Sequence, residues 1–195
     1  MNNNEFSWKV ILHRLFWDLM DTKERIYYEY HLLSEVPGSF GNLLRARYCS
    51  KRFKRAGSGL RVLSGARFRS IENLEVGCNV SIGNDCFIQA LGGVIIGNDV
   101  MLGPGVKVWS VNHKYKNRDC LISSQGLEKK TVVLGNDIWV GANSFITPGV
   151  QLADGVVVAA GSVVTAKPHM PYSVIAGNPA RMISFRKKMD PTFVL

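Results

Sequence analysis

The chain has 195 residues, of which 46% are hydrophobic, so it holds enough apolar material for one domain with a buried core. Its 24 basic and 15 acidic residues give a net charge of +9. No apolar run has the length of a membrane span, and the first residues lack the apolar stretch of a signal peptide. We therefore expect a cytoplasmic protein.

Residues 7–33 are predicted to be helical, with Ser7 as N-cap. The pair Asp21 and Thr22 is where this segment would divide into two helices. An apolar stripe usually packs against the same chain or another subunit. A peripheral helix on a membrane is the alternative, although Asp18 and Glu24 weigh against it. The stripe consists of Trp8, Ile11, Leu12, Leu15, Phe16, Leu19, Ile26, Tyr27, Tyr30 and Leu33.

A basic segment follows the predicted break at Pro37 and Gly38. Residues 40–55 are predicted to form a short helix, and the glycines at 57 and 59 mark the junction to the next domain. This segment predicts either a solvated face or contact with an anionic surface or phosphorylated ligand. It has no nucleic-acid recognition motif, so nucleic acid is disfavoured. Its basic residues are Arg45, Arg47, Lys51, Arg52, Lys54, Arg55, Arg61, Arg67 and Arg69.

An internal repeat organises the rest of the chain. From Leu134 onward, an apolar or small residue recurs at every sixth position, which matches neither a helix nor a plain strand. The same register occurs earlier and is offset by two residues at 91–93. The later positions are Leu134, Val140, Ile146, Leu152, Val158, Val164, Met170 and Ala176; the earlier ones are Val76, Ile82, Ile88, Ile96, Leu102 and Val108.

The repeat unit predicts a solenoid. A short strand supplies one inward aliphatic side chain, and Gly-Asn-Asp, found after Ile82, Ile96 and Leu134, tolerates the bend at a corner. One unit buries too little to be stable, but stacked coils form a continuous apolar column. Cys78 and Cys86 fall inside units, where we expect small buried thiols. The four cysteines form no Cys-x-x-Cys pair, so neither structural zinc nor a disulfide framework is expected.

The six-residue register is interrupted again between Val108 and Val132, where a polar loop of residues 112–131 is predicted. Long loops in compact domains are usually functional or disordered, and insertions in solenoids often map to the binding face. Of the four histidines, His113 stands where the coil gives way to this loop. His113 is therefore the candidate functional histidine.

With this register and loop, the chain resembles the hexapeptide-repeat acyltransferases, in the branch of xenobiotic, galactoside and maltose acetyltransferases. The resemblance covers roughly residues 60–185. It implies an all-β solenoid, a left-handed parallel β-helix, which is an exception to the right-handed crossover rule. Trp109 to His113 matches the family's catalytic stretch, which implies that His113 is the general base. Lys114 stands where many relatives have proline.

The resemblance also implies a binding strip for acetyl-CoA and no metal. Residues 137–143 match the family's Trp-Ile/Val-Gly motif, in which Trp139 lies along the pantetheine arm and the amide of Ala142 contacts the thioester. Arginine and lysine near the end would meet the nucleotide phosphates. The implied coenzyme residues are Trp139, Gly141, Ala142, Ala160, Gly161, Thr165, Lys167 and Arg181.

On the acceptor side, the resemblance places Gln89 where sugar-modifying relatives carry a polar residue. Tyr115 and Arg118 would reach the acceptor from the loop. The expected activity is acetyl-CoA-dependent O-acetylation of a sugar or polysaccharide hydroxyl by a homotrimer with sites between subunits. Transfer to an amine of an aminosugar or nucleotide sugar, and a drug acceptor, stay open. A non-catalytic scaffold fits the motifs less well, and a metal-dependent hydratase would need three histidine ligands.

Three segments are expected: a helical basic region at 1–58, the β-helix at 59–185 and a tail at 186–195.

Overall fold

The structure, a computed structural model, describes residues 7–187, apart from the side chains of Thr22 and Lys23. Residues 1–6 and most of the predicted tail therefore lie outside the described part. The described part begins with three helices, and the predicted break at Asp21 is confirmed. They are α1 (Trp8–Met20), α2 (Thr22–Ser34) and α3 (Gly38–Ser50).

Short strands follow, almost one for each half-dozen residues, and form the predicted solenoid. They are β1 (Arg55–Ala56), β2 (Arg61–Val62), β3 (Arg67–Arg69), β4 (Leu74–Val76), β5 (Ser81–Ile82), β6 (Phe87–Gln89), β7 (Val94–Ile96), β8 (Met101–Leu102), β9 (Lys107–Trp109), β10 (Val111–His113), β11 (Leu127–Lys129), β12 (Val132–Leu134), β13 (Trp139–Val140), β14 (Phe145–Ile146), β15 (Gln151–Leu152), β16 (Val157–Val158), β17 (Val163–Val164), β18 (Ser173–Gly177) and β19 (Ala180–Phe185).

The strands stack into three parallel sheets, one on each face of a prism. The first face has the order β1-β4-β7-β12-β15, the second β2-β5-β8-β13-β16-β18, and the third β3-β6-β9-β14-β17. At the end of the second face, β19 pairs antiparallel with β18. The predicted parallel β-solenoid with N-terminal helices is confirmed.

The six-residue register predicts the core correctly until the last coil. Leu134 to Val164 of the predicted series are all buried. Met170 is 59% exposed, and Ile175 rather than Ala176 points inward. The cause is a short last coil: Val158 aligns with Ile175, seventeen positions later instead of eighteen. The two final predicted positions were therefore wrong.

The Gly-Asn-Asp motif has a clear role at the corner between the first and second faces. The side chain of Asn98 accepts a hydrogen bond from the amide of Cys78 at 2.8 Å, and that of Asn136 accepts one from the amide of Asn98 at 2.8 Å. The aspartates that follow, such as Asp99, adopt a positive φ of 57°. Asparagine thus links coils, while aspartate tolerates the left-handed turn.

The thiols differ from one another. Cys86 is buried as predicted, and its burial raises its pKa to about 11, so the thiol stays protonated. Cys78 is only half-buried, contrary to the prediction, because it lies at a corner two residues after Val76, whereas Cys86 occupies the inward position four residues after Ile82.

Helices α2 and α3 close the base of the prism. Tyr30, Cys49 and Phe53 join the solenoid core. Arg45 is completely buried and donates hydrogen bonds to the backbone oxygens of Leu33, Ser34, Val36 and Val62, as well as to the side chain of Asn42. Its predicted place in a surface basic segment was therefore wrong, because the guanidinium satisfies carbonyls between the helices and the first coil.

Helix α1 packs on α2 and buries none of its own residues. Trp8, Leu12, Phe16 and Met20, each four positions after the last, are 57–76% exposed and form one apolar row. Within residues 7–187, no helix combines the length and apolarity needed to cross a bilayer.

Candidate active site

His113 stands at the edge between the third face and the first face. After β9, Ser110 turns the chain: its buried hydroxyl donates to the carbonyl of Gln89 and accepts from the amide of Gly92, both at 2.8 Å. Strand β10 then leaves the coil and pairs antiparallel with β11, with His113 opposite Leu127. The imidazole is consequently exposed on a hairpin with an anchored base.

The predicted loop is an ordered hairpin excursion. Its two strands pair only with each other, so the six-residue register gave no sign of them. Gln125 holds the tip: its side chain donates to the carbonyls of Asn117 and Cys120 at 2.7 and 3.2 Å, and accepts from the amide of Asn117 at 3.1 Å. Tyr115 and Arg118 are exposed on this tip. Sequence reasoning missed Gln125, whose role depends on a fold-back within the loop.

The implied thioester strip lies at the edge between the second and third faces. Trp139 is 52% exposed on the outside of β13, between Met101 and Val157 in the neighbouring strands. A Cβ added to Gly141 would lie 2.5 Å from the backbone nitrogen of Ala160, so only glycine fits between these coils. The strip is therefore closely packed at the position next to Ala142.

The amide of Ala142 is available to a ligand. Its carbonyl accepts from the amide of Gly161 at 2.8 Å, but its own N–H has no acceptor within residues 7–187. Ala160 and Gly161 stack above it in the next coil, and Gly161 has open space around its Cα. These three small residues lie along the same edge as Trp139.

The remaining implied coenzyme residues are elsewhere. Thr165 and Lys167 lie at the edge between the third and first faces, where Lys167 and His169 line a cavity of about 510 Å³. The His169 ring nitrogen lies 3.3 Å from the carbonyl of Thr165. Arg181 lies on β19, opposite Ala176. His113 and Thr165 thus lie at the edge between the third and first faces, whereas Trp139 and Ala142 lie at the edge between the second and third faces.

Gln89 lies on the third face, between these two edges. It is in register with Arg69 on β3 and Trp109 on β9. Its side-chain oxygen accepts from the amide of Leu91 at 3.2 Å, so its amide group remains free to donate. In one chain, the candidate base and the candidate thioester strip are separated by this face.

Across residues 7–187, no three His, Cys, Asp or Glu side chains gather as a metal site would require. The structure therefore offers no metal ligand set in this part of the chain.

The repeats match a known family model. Residues 131–166 match the model described as bacterial transferase hexapeptide (six repeats). The chain carries this hexapeptide repeat. The predicted resemblance is confirmed for the repeat and, by the solenoid, for the fold.

Two relatives show the range of similar proteins. A probable macrolide acetyltransferase of Lysinibacillus sphaericus is 48% identical over 58 residues, 30% of this chain and 32% of the relative. A putative lipopolysaccharide biosynthesis O-acetyl transferase of Escherichia coli (strain K12) is 34% identical over 113 residues, 54% of this chain and 57% of the relative. Matches of this kind span 25–60% of the curated relatives' own lengths.

Solved hexapeptide-repeat structures match over more of the chain. A maltose O-acetyltransferase from Clostridium difficile 630 has a TM-score of 0.74 and 28% identity, covering 87% of this chain and 89% of the other. A galactoside acetyltransferase in complex with coenzyme A has a TM-score of 0.70 and 25% identity, covering 84% and 78%.

Proposed function

We propose that the chain transfers an acetyl group from acetyl-CoA to a hydroxyl group of a sugar or glycan. The observation that carries the proposal is the hairpin that lifts His113 out of the solenoid beside an exposed polar loop. The fold shared with maltose and galactoside acetyltransferases supports it. So does the similarity to a putative lipopolysaccharide O-acetyl transferase.

His113 acts as the general base. A neutral imidazole ring can accept a proton from a hydroxyl group, and the ring of His113 is exposed. The hydroxyl oxygen forms a bond to the thioester carbonyl carbon as His113 takes its proton. When the tetrahedral intermediate collapses, the carbon–sulfur bond breaks and the imidazolium returns the proton to the departing thiolate. The products are an acetate ester and free coenzyme A.

The strip around Ala142 supports this step. The unpaired N–H of Ala142 donates a hydrogen bond to the negative charge that develops on the thioester carbonyl oxygen. Trp139 offers a flat apolar surface to the pantetheine arm. The exposed cations Lys167 and Arg181 suit the nucleotide phosphates. The solenoid coils hold Ala142, Trp139 and Lys167 in place, and β19 holds Arg181.

Two copies are needed to complete a site. His113 and Thr165 lie on one edge of the third face, while Trp139 and Ala142 lie on the other. If three prisms pack around a common axis through the later coils of their third faces, the His113 edge of one copy meets the Ala142 edge of the next, and the first coils of that face, with β3 and β6, stay open. Phe145 and Val163, in register on β14 and β17, offer half-buried apolar surface for such packing. We therefore propose a homotrimer with intersubunit sites.

Helix α1 needs a partner for its exposed apolar row. We assign this row to packing against another copy of the chain, in a protein that works in the cytoplasm. Peripheral membrane contact is the competing outcome. Co-sedimentation of the full chain with vesicles of phosphatidylglycerol and phosphatidylcholine, lost in Phe16→Glu, would favour the membrane, whereas a smaller assembly of Phe16→Glu without vesicle binding would favour packing.

A drug acceptor is the second candidate. The observation that favours it is the 48% identity to a probable macrolide acetyltransferase over 58 residues. Transfer to the amine of an aminosugar would use the same base and strip.

The acceptor is identified by thiol release from acetyl-CoA over a panel of sugars, oligosaccharides, aminosugars and a macrolide. We expect release with a hydroxylated saccharide, and a product that mild alkali deacetylates, because esters are labile and amides are not. An alkali-stable product with an aminosugar would replace the O-acetyl proposal. Release only with the macrolide would establish the drug candidate.

A further inference from the structure

A long cleft lies at the base of the third face, away from both edges of the proposed reaction site. It consists of two adjoining cavities of about 510 and 550 Å³ that share Tyr27, His31 and Arg69. One wall is helix α2, and the other is formed by β3 and β6 of the first two coils. Each cavity alone falls in the ~300–1,000 Å³ range of small-molecule sites, so together they form an elongated site.

The lining combines flat rings with charges of both signs. Tyr27 and Phe87 provide ring surfaces, while Arg67 and Arg69 provide donors. Carboxylates also line the cleft: Glu35 and Asp85 at one end and Glu24 at the other. Hydroxyl groups of a sugar both donate and accept, and the C–H faces of its ring pack on aromatic side chains. This combination suits a saccharide.

Two residues that line the cleft, Tyr27 and Arg69, are available to contact a ligand. The Tyr27 hydroxyl accepts from the amide of Ser70 at 3.4 Å, which holds the ring next to Arg69. Arg69 is exposed, and no carboxylate within residues 7–187 lies in ion-pair distance of it. Its five N–H donors are therefore available, in a fixed planar arrangement.

A row of outward side chains connects the cleft to the histidine edge. Arg69, Gln89 and Trp109 are in register on β3, β6 and β9. The Trp109 ring contacts that of Phe87, with centroids 4.9 Å apart. Beyond Trp109 the chain turns into β10, which ends at His113. A chain-like ligand in the cleft would thus have a path toward the proposed base.

We propose that this cleft binds the non-reacting units of an oligosaccharide or polysaccharide, with Tyr27 and Arg69 as specificity-determining residues. The inference rests on the proposed acetyl transfer and narrows its acceptor to an extended glycan. A compact macrolide ring would not follow the length of the two adjoining cavities.

Binding is measured by calorimetric titration of the full chain without acetyl-CoA, so the result does not depend on catalysis. The probes are maltose to maltohexaose, which are neutral, and galacturonate oligomers of the same lengths, which are acidic. We expect affinity to increase with chain length in at least one series. Tyr27→Ala and Arg69→Ala should each weaken that binding by about five- to tenfold, since each removes one stacking surface or one set of donors.

Arg61→Ala is the matched control: it removes an exposed arginine from β2 on the second face and should bind the oligomers as the wild type does. No binding that grows with length, or binding unchanged in Tyr27→Ala and Arg69→Ala, overturns the inference. Length-dependent binding without any His113-dependent thiol release leaves the cleft intact and rejects the acetyl-transfer proposal.

Discussion

Two groups carry the proposed chemistry at the scale of single residues: the exposed imidazole of His113 and the unpaired amide of Ala142. The first is positioned by a hairpin whose base Ser110 anchors, and the second by close stacking of coils at Gly141. Different contacts position the two groups, so one can be substituted while the other stays in place, and their roles can be tested separately.

Ala142→Pro tests the oxyanion donor because proline has no backbone N–H. The substitution should leave the coil intact, since Pro104, also preceded by glycine, occupies the equivalent corner position in the coil below. We expect kcat to fall by about 10²–10³-fold, as for loss of one oxyanion donor. Steady-state kinetics with Ala142→Ser as control, which retains the amide, checks this. Wild-type kcat in a folded Ala142→Pro variant would exclude the amide from catalysis.

Arg45 stabilises the fold and takes no part in the proposed chemistry. Arg45→Lys should lower the free energy of unfolding by about 2–4 kcal/mol, since an ammonium group cannot reach all of the buried carbonyls that the guanidinium satisfies. Urea unfolding measures this, with Arg47→Lys on the exposed side of α3 as control. Equal stability of the two variants would show that the Arg45 bonds contribute little.

At the scale of elements, the loop between β10 and β11 depends on one side chain. Gln125→Ala removes three hydrogen bonds that fold the tip back on itself. We expect trypsin to cleave after Lys116 or Arg118 about 10- to 100-fold faster, because three bonds worth ~0.5–1 kcal/mol each no longer oppose local opening. Digestion followed by mass spectrometry measures the rate. Gln151→Ala, on the exposed face of β15, should behave as wild type; if Gln125→Ala does too, other contacts hold the loop.

The elements of the solenoid could be predicted from the sequence because each depends on residues within one repeat. An inward aliphatic at every sixth position and Gly-Asn-Asp at a corner are local signals, and they place the core from Val76 to Val164. The prediction failed at Met170, where the last coil is one residue short. No local signal marks that deletion.

The cleft and the packing of α2 and α3 against the base of the prism could not be predicted, since they join residues far apart in the chain. Tyr27 and Arg69 both belong to stretches that the sequence describes only as an apolar stripe and a basic segment. Their proximity depends on α2 lying across the first coil. Arg45 likewise looks like any basic residue until its carbonyl partners in α2 and β2 are known.

At the scale of the whole molecule, the separation of His113 and Ala142 by the third face requires a site built from two copies. A mixture of His113→Ala and Ala142→Pro chains, unfolded and refolded together, should regain activity. With random assembly, about a quarter of the sites would combine an intact His113 from one chain with an intact Ala142 from another. Thiol release by the mixture, compared with each variant refolded alone, measures this. A mixture no more active than its components would place both groups of a site in one chain.

Thiol release from acetyl-CoA with an active saccharide acceptor tests whether His113 is the base of an acetyl transfer. His113→Ala should reduce kcat by about 10²–10⁴-fold, the usual contribution of a general base. His13→Ala is the matched control: His13 is exposed on α1, where its ring bonds to Trp17, and this variant should keep the wild-type rate. Equal rates for His113→Ala and the wild type would contradict the account.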